Sequence, residues 1–241
     1  MGYPCLRHYK MEDLQSQVLY EDNHIIILNK QCSQIVQGDK TGDVCLADLV
    51  KLFLKKKYQK QGNVYCGVVH RLDRPVSGAI IFAKTDKALS RLNRQIKERQ
   101  VEKTYWAITR NAPPKQSDTL INHLYRNEQQ NKSYITTESH PKSQYAELDY
   151  RLLAKSDFYN LLEINLKTGR HHQIRTQLAA IGCPIKGDLK YGFGRSNRIS
   201  SISLHARQLT FEHPIRKEQL TVIAPVPNDP LWLHFEGNIC V

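Results

Sequence analysis

Apolar positions along the chain follow two periods. Ile25-Ile26-Ile27-Leu28 is an unbroken aliphatic run, and residues 24–29 predict a strand buried on both faces. Ala79-Ile80-Ile81-Phe82-Ala83 predicts a second, entered through the turn residues Pro75 and Ser77-Gly78. Leu46, Leu49, Val50 and Phe53 recur at helical spacing, with Thr41 or Asp43 available as a cap and Lys55-Lys56-Lys57 at the end. Thr85 or Asp86 caps another helix through Leu89, Leu92 and Ile96, whose polar face carries Lys87, Arg91, Arg94, Lys97 and Arg99. A strand resumes at 103–108.

Residues 111–143 are the least hydrophobic region and read as a polar excursion that carries a hairpin. A structureless stretch of that length is unusual in a compact protein. Two alternating strands, 144–153 and 158–166, flank a polar turn. Beyond them Thr168 offers an N-cap, Ile174, Leu178 and Ile181 share a helical face, and Gly182 with Pro184 ends the helix. Strands at 202–211 and 220–224 and a tail with Leu231-Trp232-Leu233 for docking complete the pattern. Residues 1–17 read as a loose N-terminal segment and 18–241 as one α+β domain. The count is seven or eight strands and three main helices, on a mixed, mostly antiparallel sheet flanked by helices and loops.

Charge narrows the partner. Lys plus Arg is 35 against 23 Asp plus Glu, a formal net charge of +12, so a polyanion is the first partner to consider. Residues 55–60 and 87–99 supply basic surfaces that serve either as dipole-complementing helix faces or as phosphate contacts. No apolar span is long enough to cross a membrane. Six scattered cysteines without a CxxC predict a reduced, cytoplasmic protein without a zinc site. A Walker pattern is absent, the acidic residues form no metal-binding pairs, and the paired-cysteine signature of a zinc deaminase is missing.

The stretch with the most chemistry is 69–84, VHRLDRPVSGAIIFAK, where Asp73 stands between Arg71 and Arg74 ahead of the buried run. A carboxylate in such a loop is ordinarily solvated or salt-bridged. Three further blocks change that reading: Lys103-x-Tyr105-x-Ala107, Thr168-Gly169-Arg170-x-His172-Gln173-Ile174-Arg175, and Pro184-Ile185-x-Gly187-Asp188 followed by Tyr191-Gly192. With Leu204-His205-Ala206 they span about 20 to 225 in order. Together they resemble the RluA-like pseudouridine synthases. The resemblance departs at Gln31 and Ser33, which replace the proline and glycine of a Lys-Pro-x-Gly segment, at Val76 and at Gln177. Proline stiffens a turn and glycine allows positive φ, so the loop after Lys30 is expected to take a different path. The stretch before the first strand is too short for the S4-like RNA-binding domain many relatives carry.

The resemblance implies isomerisation of a uridine in RNA to pseudouridine, without metal or cofactor and with no obligate protein partner. It makes Asp73 the residue that starts the reaction, by attack on C1′ or by taking the C2′ proton. Arg175 is its expected ionic partner, with Arg170 the runner-up, and Tyr105 stacks on the flipped uracil. Arg71 and Arg74 would contact phosphate or the flipped nucleotide, and Leu72, Ile174, His172 and Lys30 would line or support the pocket. His70 reads as structural support. Ribosomal or transfer RNA would be the substrate, ribosomal RNA slightly favoured. The competing reading is an inactive RNA-binding protein that retains the synthase fold.

Overall fold

The computed structural model describes residues 14–38, 42–197, 199 and 201–239. They gather into two units: one takes the chain up to Val101 together with Thr210–Pro225, the other takes Glu102–Leu209 and the chain from Val226 onward. Among the described residues eleven strands and four α-helices are complete, more than the pattern of apolar runs predicted.

In the first unit, β1 (Val18–Glu21) and β2 (Ile25–Lys30) pair antiparallel. β2 is buried at all six positions, as its unbroken aliphatic run requires. α1 (Leu46–Lys57) buries Leu46, Leu49, Val50 and Phe53 on one stripe. Its N-cap is Cys45, without a side-chain cap bond, rather than Asp43, which instead pairs with Arg74. Thr41, the other expected cap, lies outside the described residues. In the last turn Lys57 is tied to Glu21 at 2.7 Å, while Lys55 and Lys56 stay exposed.

A short β3 (Gly67–Val68) precedes β4 (Ser77–Ala83), which lies antiparallel to both β2 and β3. α2 (Asp86–Lys97) starts as expected: the Thr85 hydroxyl accepts from the Ala88 N–H. Of the N-terminal segment, residues 1–13 lie outside the described set. Leu14 and Gln17 are buried, and the Gln17 carbonyl accepts the Asn29 N–H at 2.7 Å.

The second unit holds an antiparallel sheet. β5 (Glu102–Thr109), β6 (Ser117–Asn127), β7 (Lys132–Thr136), β8 (Gln144–Lys155) and β9 (Asn160–Leu166) stand in the order β5-β9-β8-β6-β7. The polar excursion therefore supplies a regular hairpin: β6 pairs with β8 along one edge and with β7 along the other. α3 (Gln173–Ala180) lies on the face bearing Ala146, and Gln177 donates from Nε2 to the carbonyl of Leu120 and to Asn122. α4 (Pro230–Asn238) covers the opposite face at β5 and β9, burying Trp232 and Phe235 against Trp106, Ile108 and Leu161. The tail docks through Trp232 and Phe235, whereas Leu233 is exposed.

β10 (Leu204–Glu212) starts in the second unit and ends in the first, where β11 (Gln219–Ile223) pairs with it. The returning segment is bound by side chains from distant parts of the first unit. Arg91 donates to the Pro214 carbonyl at 2.7 Å and Gln95 to that of Glu212 at 2.9 Å. The buried His213 stands 2.8 Å from Asp22, and Asn29 donates to the Pro225 carbonyl at 3.0 Å.

Candidate active site

The loop that carries Asp73 is held from below by a cation. Lys30 ends β2 opposite Gly78, the second residue of β4, so its side chain enters beneath the turn between β3 and β4. Its ammonium is fully buried and donates to the carbonyls of Gln31 (3.1 Å), Asp73 (3.3 Å), Arg74 (3.2 Å) and Val76 (2.7 Å). Burial pushes the Lys30 ammonium down to about 7, against the favourable charge of Asp73. Expected as a pocket-lining substrate contact, Lys30 has its ammonium inside the protein, committed to the loop.

Two more contacts fix the same turn. The Val76 N–H bonds the Asp73 carbonyl at 3.0 Å, and the Ser33 N–H bonds that of Arg74 at 2.8 Å. Ser33 has φ 70°, so the loop after Lys30 keeps a left-handed turn without glycine, at a cost of about 1 kcal/mol. Gly78, at φ 116°, is where the loop needs glycine to enter β4. His70 Nε2 accepts the Ile81 N–H at 3.2 Å, the supporting part expected of it. Leu72 is buried, Asp73 half-buried, and Arg71 and Arg74 exposed; Arg74 pairs with Asp43 at 2.9 Å on the surface.

In the second unit, Tyr105 is buried on β5 and faces Ile164 across the ladder to β9. Ile164 in turn faces Tyr150 on β8, which places Tyr105 on the sheet face that α3 covers. The turn into α3 is built differently from the expectation. Thr168 is not its N-cap: its hydroxyl donates to Gln173 Oε1 at 2.8 Å and accepts the Glu147 N–H. Gln173 Oε1 also accepts the Arg170 N–H, and its Nε2 donates to the Glu147 carbonyl. The cap position falls to His172, in a left-handed conformation.

His172 is buried, shares a hydrogen bond with the Tyr191 hydroxyl at 2.9 Å and stacks on His171 with ring centroids 3.7 Å apart. Burial, reinforced by the Arg175 charge, pulls it down to about 2, so it is neutral at physiological pH. No group of three metal-binding side chains occurs among the described residues.

Arg175 is buried and grips Asp188 with both edges of a fork, Nε at 2.7 Å and Nη2 at 2.8 Å. Its guanidinium also lies 5.0 Å from the Tyr191 ring centre. The sequence signal for Asp188 was present in the Pro-Ile-x-Gly-Asp block, which carried no assigned role. Arg170 donates from Nε to the Tyr145 carbonyl at 2.8 Å, and Ile174 is buried beside Arg175.

The family model described as RNA pseudouridylate synthase matches residues 24–180, a span that includes Lys30, Asp73, Tyr105 and Arg175. This chain belongs to that family. An uncharacterised RNA pseudouridine synthase of Chlorobaculum parvum is 33% identical over 238 residues, covering 90% of this chain and 73% of the relative. The ribosomal large subunit pseudouridine synthase C of Buchnera aphidicola is 31% identical over 226 residues, covering 89% and 68%. Human RNA pseudouridylate synthase domain containing 1 superposes with a TM-score of 0.73 at 25% identity, over 94% of this chain and 89% of that one. Human RNA pseudouridylate synthase domain containing 4 shares the fold with a TM-score of 0.78 at 22% identity, over 95% of each chain. This pseudouridine synthase thus has the α+β synthase fold, and its substrate is RNA. Among the described residues no helix is long and apolar enough to cross a membrane.

Proposed function

We propose that this pseudouridine synthase converts uridines of ribosomal RNA, with transfer RNA as the second candidate, through Asp73. The observation that carries the assignment is the clasp of Lys30 on the Asp73 loop: three carbonyls between residues 73 and 76 are fixed by one buried cation. A fixed backbone of that kind positions a reacting side chain. The reaction is an isomerisation. The N1–C1′ bond breaks, the base turns, C5 joins C1′, the C5 proton leaves and N1 gains one.

In this reading the Asp73 carboxylate starts the reaction at C1′ or at the C2′ proton, and both steps need it ionised. Arg175 is the cation assigned to keep it so. Asp188 occupies the Nε and Nη2 edge of that guanidinium and holds it in a fixed orientation. Tyr105 stacks on the flipped uracil, Leu72 and Ile174 shape the pocket, and the exposed Arg71 and Arg74 hold phosphates. Arg170 and His172 serve by setting the turn that leads into α3. The ribosomal RNA assignment draws on the name of the Buchnera relative. A cytoplasmic location and action without an obligate protein partner go with it.

The test is release of tritium from bulk RNA labelled at uridine C5, taken from cells that lack this protein. Wild type is expected to release label, and Asp73→Ala to release none while still binding the RNA. Equal release by both would remove Asp73 from the mechanism. Binding without release by both would favour the inactive, RNA-binding reading.

A further inference from the structure

Lysines drawn into this protein are otherwise given partners. Lys30 has four carbonyls, and Lys84, 7% exposed, has the carboxylate of Glu21 at 2.7 Å. Lys186, half-buried, donates to Asn197 at 2.7 Å. Lys103 is the exception. Among the described residues it has neither a hydrogen bond nor an ion pair, although its side chain is largely covered and burial alone pulls its ammonium below the usual lysine range.

The position of Lys103 in the sheet explains why no partner is near. It lies two residues before Tyr105 on β5, so the two side chains share a face. The ladder pairs Thr104 with Asn165 and Tyr105 with Ile164, which brings Lys103 level with Leu166. Further across, Leu166 faces Leu148 and Ile164 faces Tyr150. On this β9 and β8 side of Lys103 every side chain is apolar or aromatic. The carboxylates of the same strands lie on the opposite face, where Glu163 is held by Arg151, Asp149 by Lys167 and Thr119, and Glu147 by Tyr145. A desolvated cation without a counter-charge costs stability, and a protein retains one where a ligand supplies the charge.

We propose that Lys103 is a substrate-binding residue that takes a backbone phosphate of the RNA next to the uridine stacked on Tyr105. The inference rests on the reading of Tyr105 given above. Two residues along a strand are about 6.6 Å apart, close to the span between a nucleobase and its neighbouring phosphate. Lys103 keeps partial solvent access, so a phosphodiester can reach it. The ring then supplies the stacking surface and the lysine the anchor that fixes which way the nucleotide enters.

Lys103→Met and Lys103→Arg, made both in the native chain and in Asp73→Ala, test this with the tritiated bulk RNA as probe. The Met variant in the Asp73→Ala background is expected to bind about tenfold more weakly, with its log–log salt dependence shallower by about one. In the native chain KM should rise with kcat nearly unchanged, and Tm should not fall, because an unpaired charge has been removed. Arg should restore affinity and salt slope. Wild-type affinity and slope in the Met variant would overturn the proposal, as would a lower Tm with reduced kcat and unchanged KM. Tyr105→Leu in the same assays separates the two readings: unchanged binding and turnover there would remove Tyr105 from the pocket, while the Lys103 salt slope is judged independently.

Discussion

The buried ammonium of Lys30 lies 3.3 Å from the carbonyl oxygen of Asp73, in the loop that the proposed reaction depends on. Lys30→Met would keep the stem and remove the donor from four carbonyls. Each buried acceptor left without a partner costs about 1–3 kcal/mol, offset in part by the removal of a buried charge. The expected result is a lower Tm with a far larger loss of turnover, at least about a hundredfold, since loop geometry enters the rate directly. Tritium release and thermal melting, run side by side, check this.

The same lysine separates two pH dependences. Its folded value, about 7, lies below the unfolded value of 10.5. Its contribution to stability is therefore fully present above 10.5 and is lost as pH falls through about 7. Turnover should run the other way, declining above about 7 as the clasp loses its charge. Melting curves from pH 6 to 9 should show wild type gaining on Lys30→Met as pH rises. A constant difference between them would contradict the assignment.

Asp188→Asn should destabilise the second unit by about 3–5 kcal/mol, because it leaves the Arg175 guanidinium buried with its principal counter-charge removed. Denaturant unfolding measures it. Replacing Arg175 and Asp188 together by leucines should cost less than Asp188→Leu alone, a sign of one interaction rather than two.

His172 predicts acid sensitivity. Burial holds its folded value at about 2 against 6.5 for the free side chain. The stability it contributes is complete above 6.5 and declines as pH falls toward 2. Wild type should lose Tm between pH 7 and 5, and His172→Gln should lose less over that interval.

Much of this was legible from local pattern. The aliphatic runs at 25–28 and 79–83 became β2 and β4, and Thr85 capped α2, because burial on both faces and a cap bond three residues away are short-range properties. The Asp73 loop was legible by resemblance. What held it was not, since Lys30 reaches carbonyls 43 to 46 residues along the chain. Thr168 read as a cap because hydroxyls favour that place; Gln173, inside the first turn, took the bonds instead. The hairpin expected in the excursion is there, but its strand limits were not legible, because β6 alternates exposed and half-buried positions over most of its length and its pairing shows weakly in hydrophobicity.

Gly187 offers a test in the block that holds Asp188. It has φ +88°, and a Cβ there would stand 2.7 Å from Asn197 and 2.8 Å from the Ser201 carbonyl oxygen. Gly187→Ala should therefore cost about 2 kcal/mol, read as a lower denaturation midpoint. Asn197, which receives Lys186, would be displaced with it.

The unit that contains Asp73 is completed only by Thr210–Pro225, more than a hundred residues after its main part ends at Val101. On the ribosome, then, Arg91, Gln95, Asp22 and Asn29 emerge long before the carbonyls and histidine that they hold. A nascent chain stopped short of that segment has its Asp73 loop translated and its enclosing unit unfinished. Synthesis of this enzyme thus carries its own delay: the half that is made first is the half that folds to completion late.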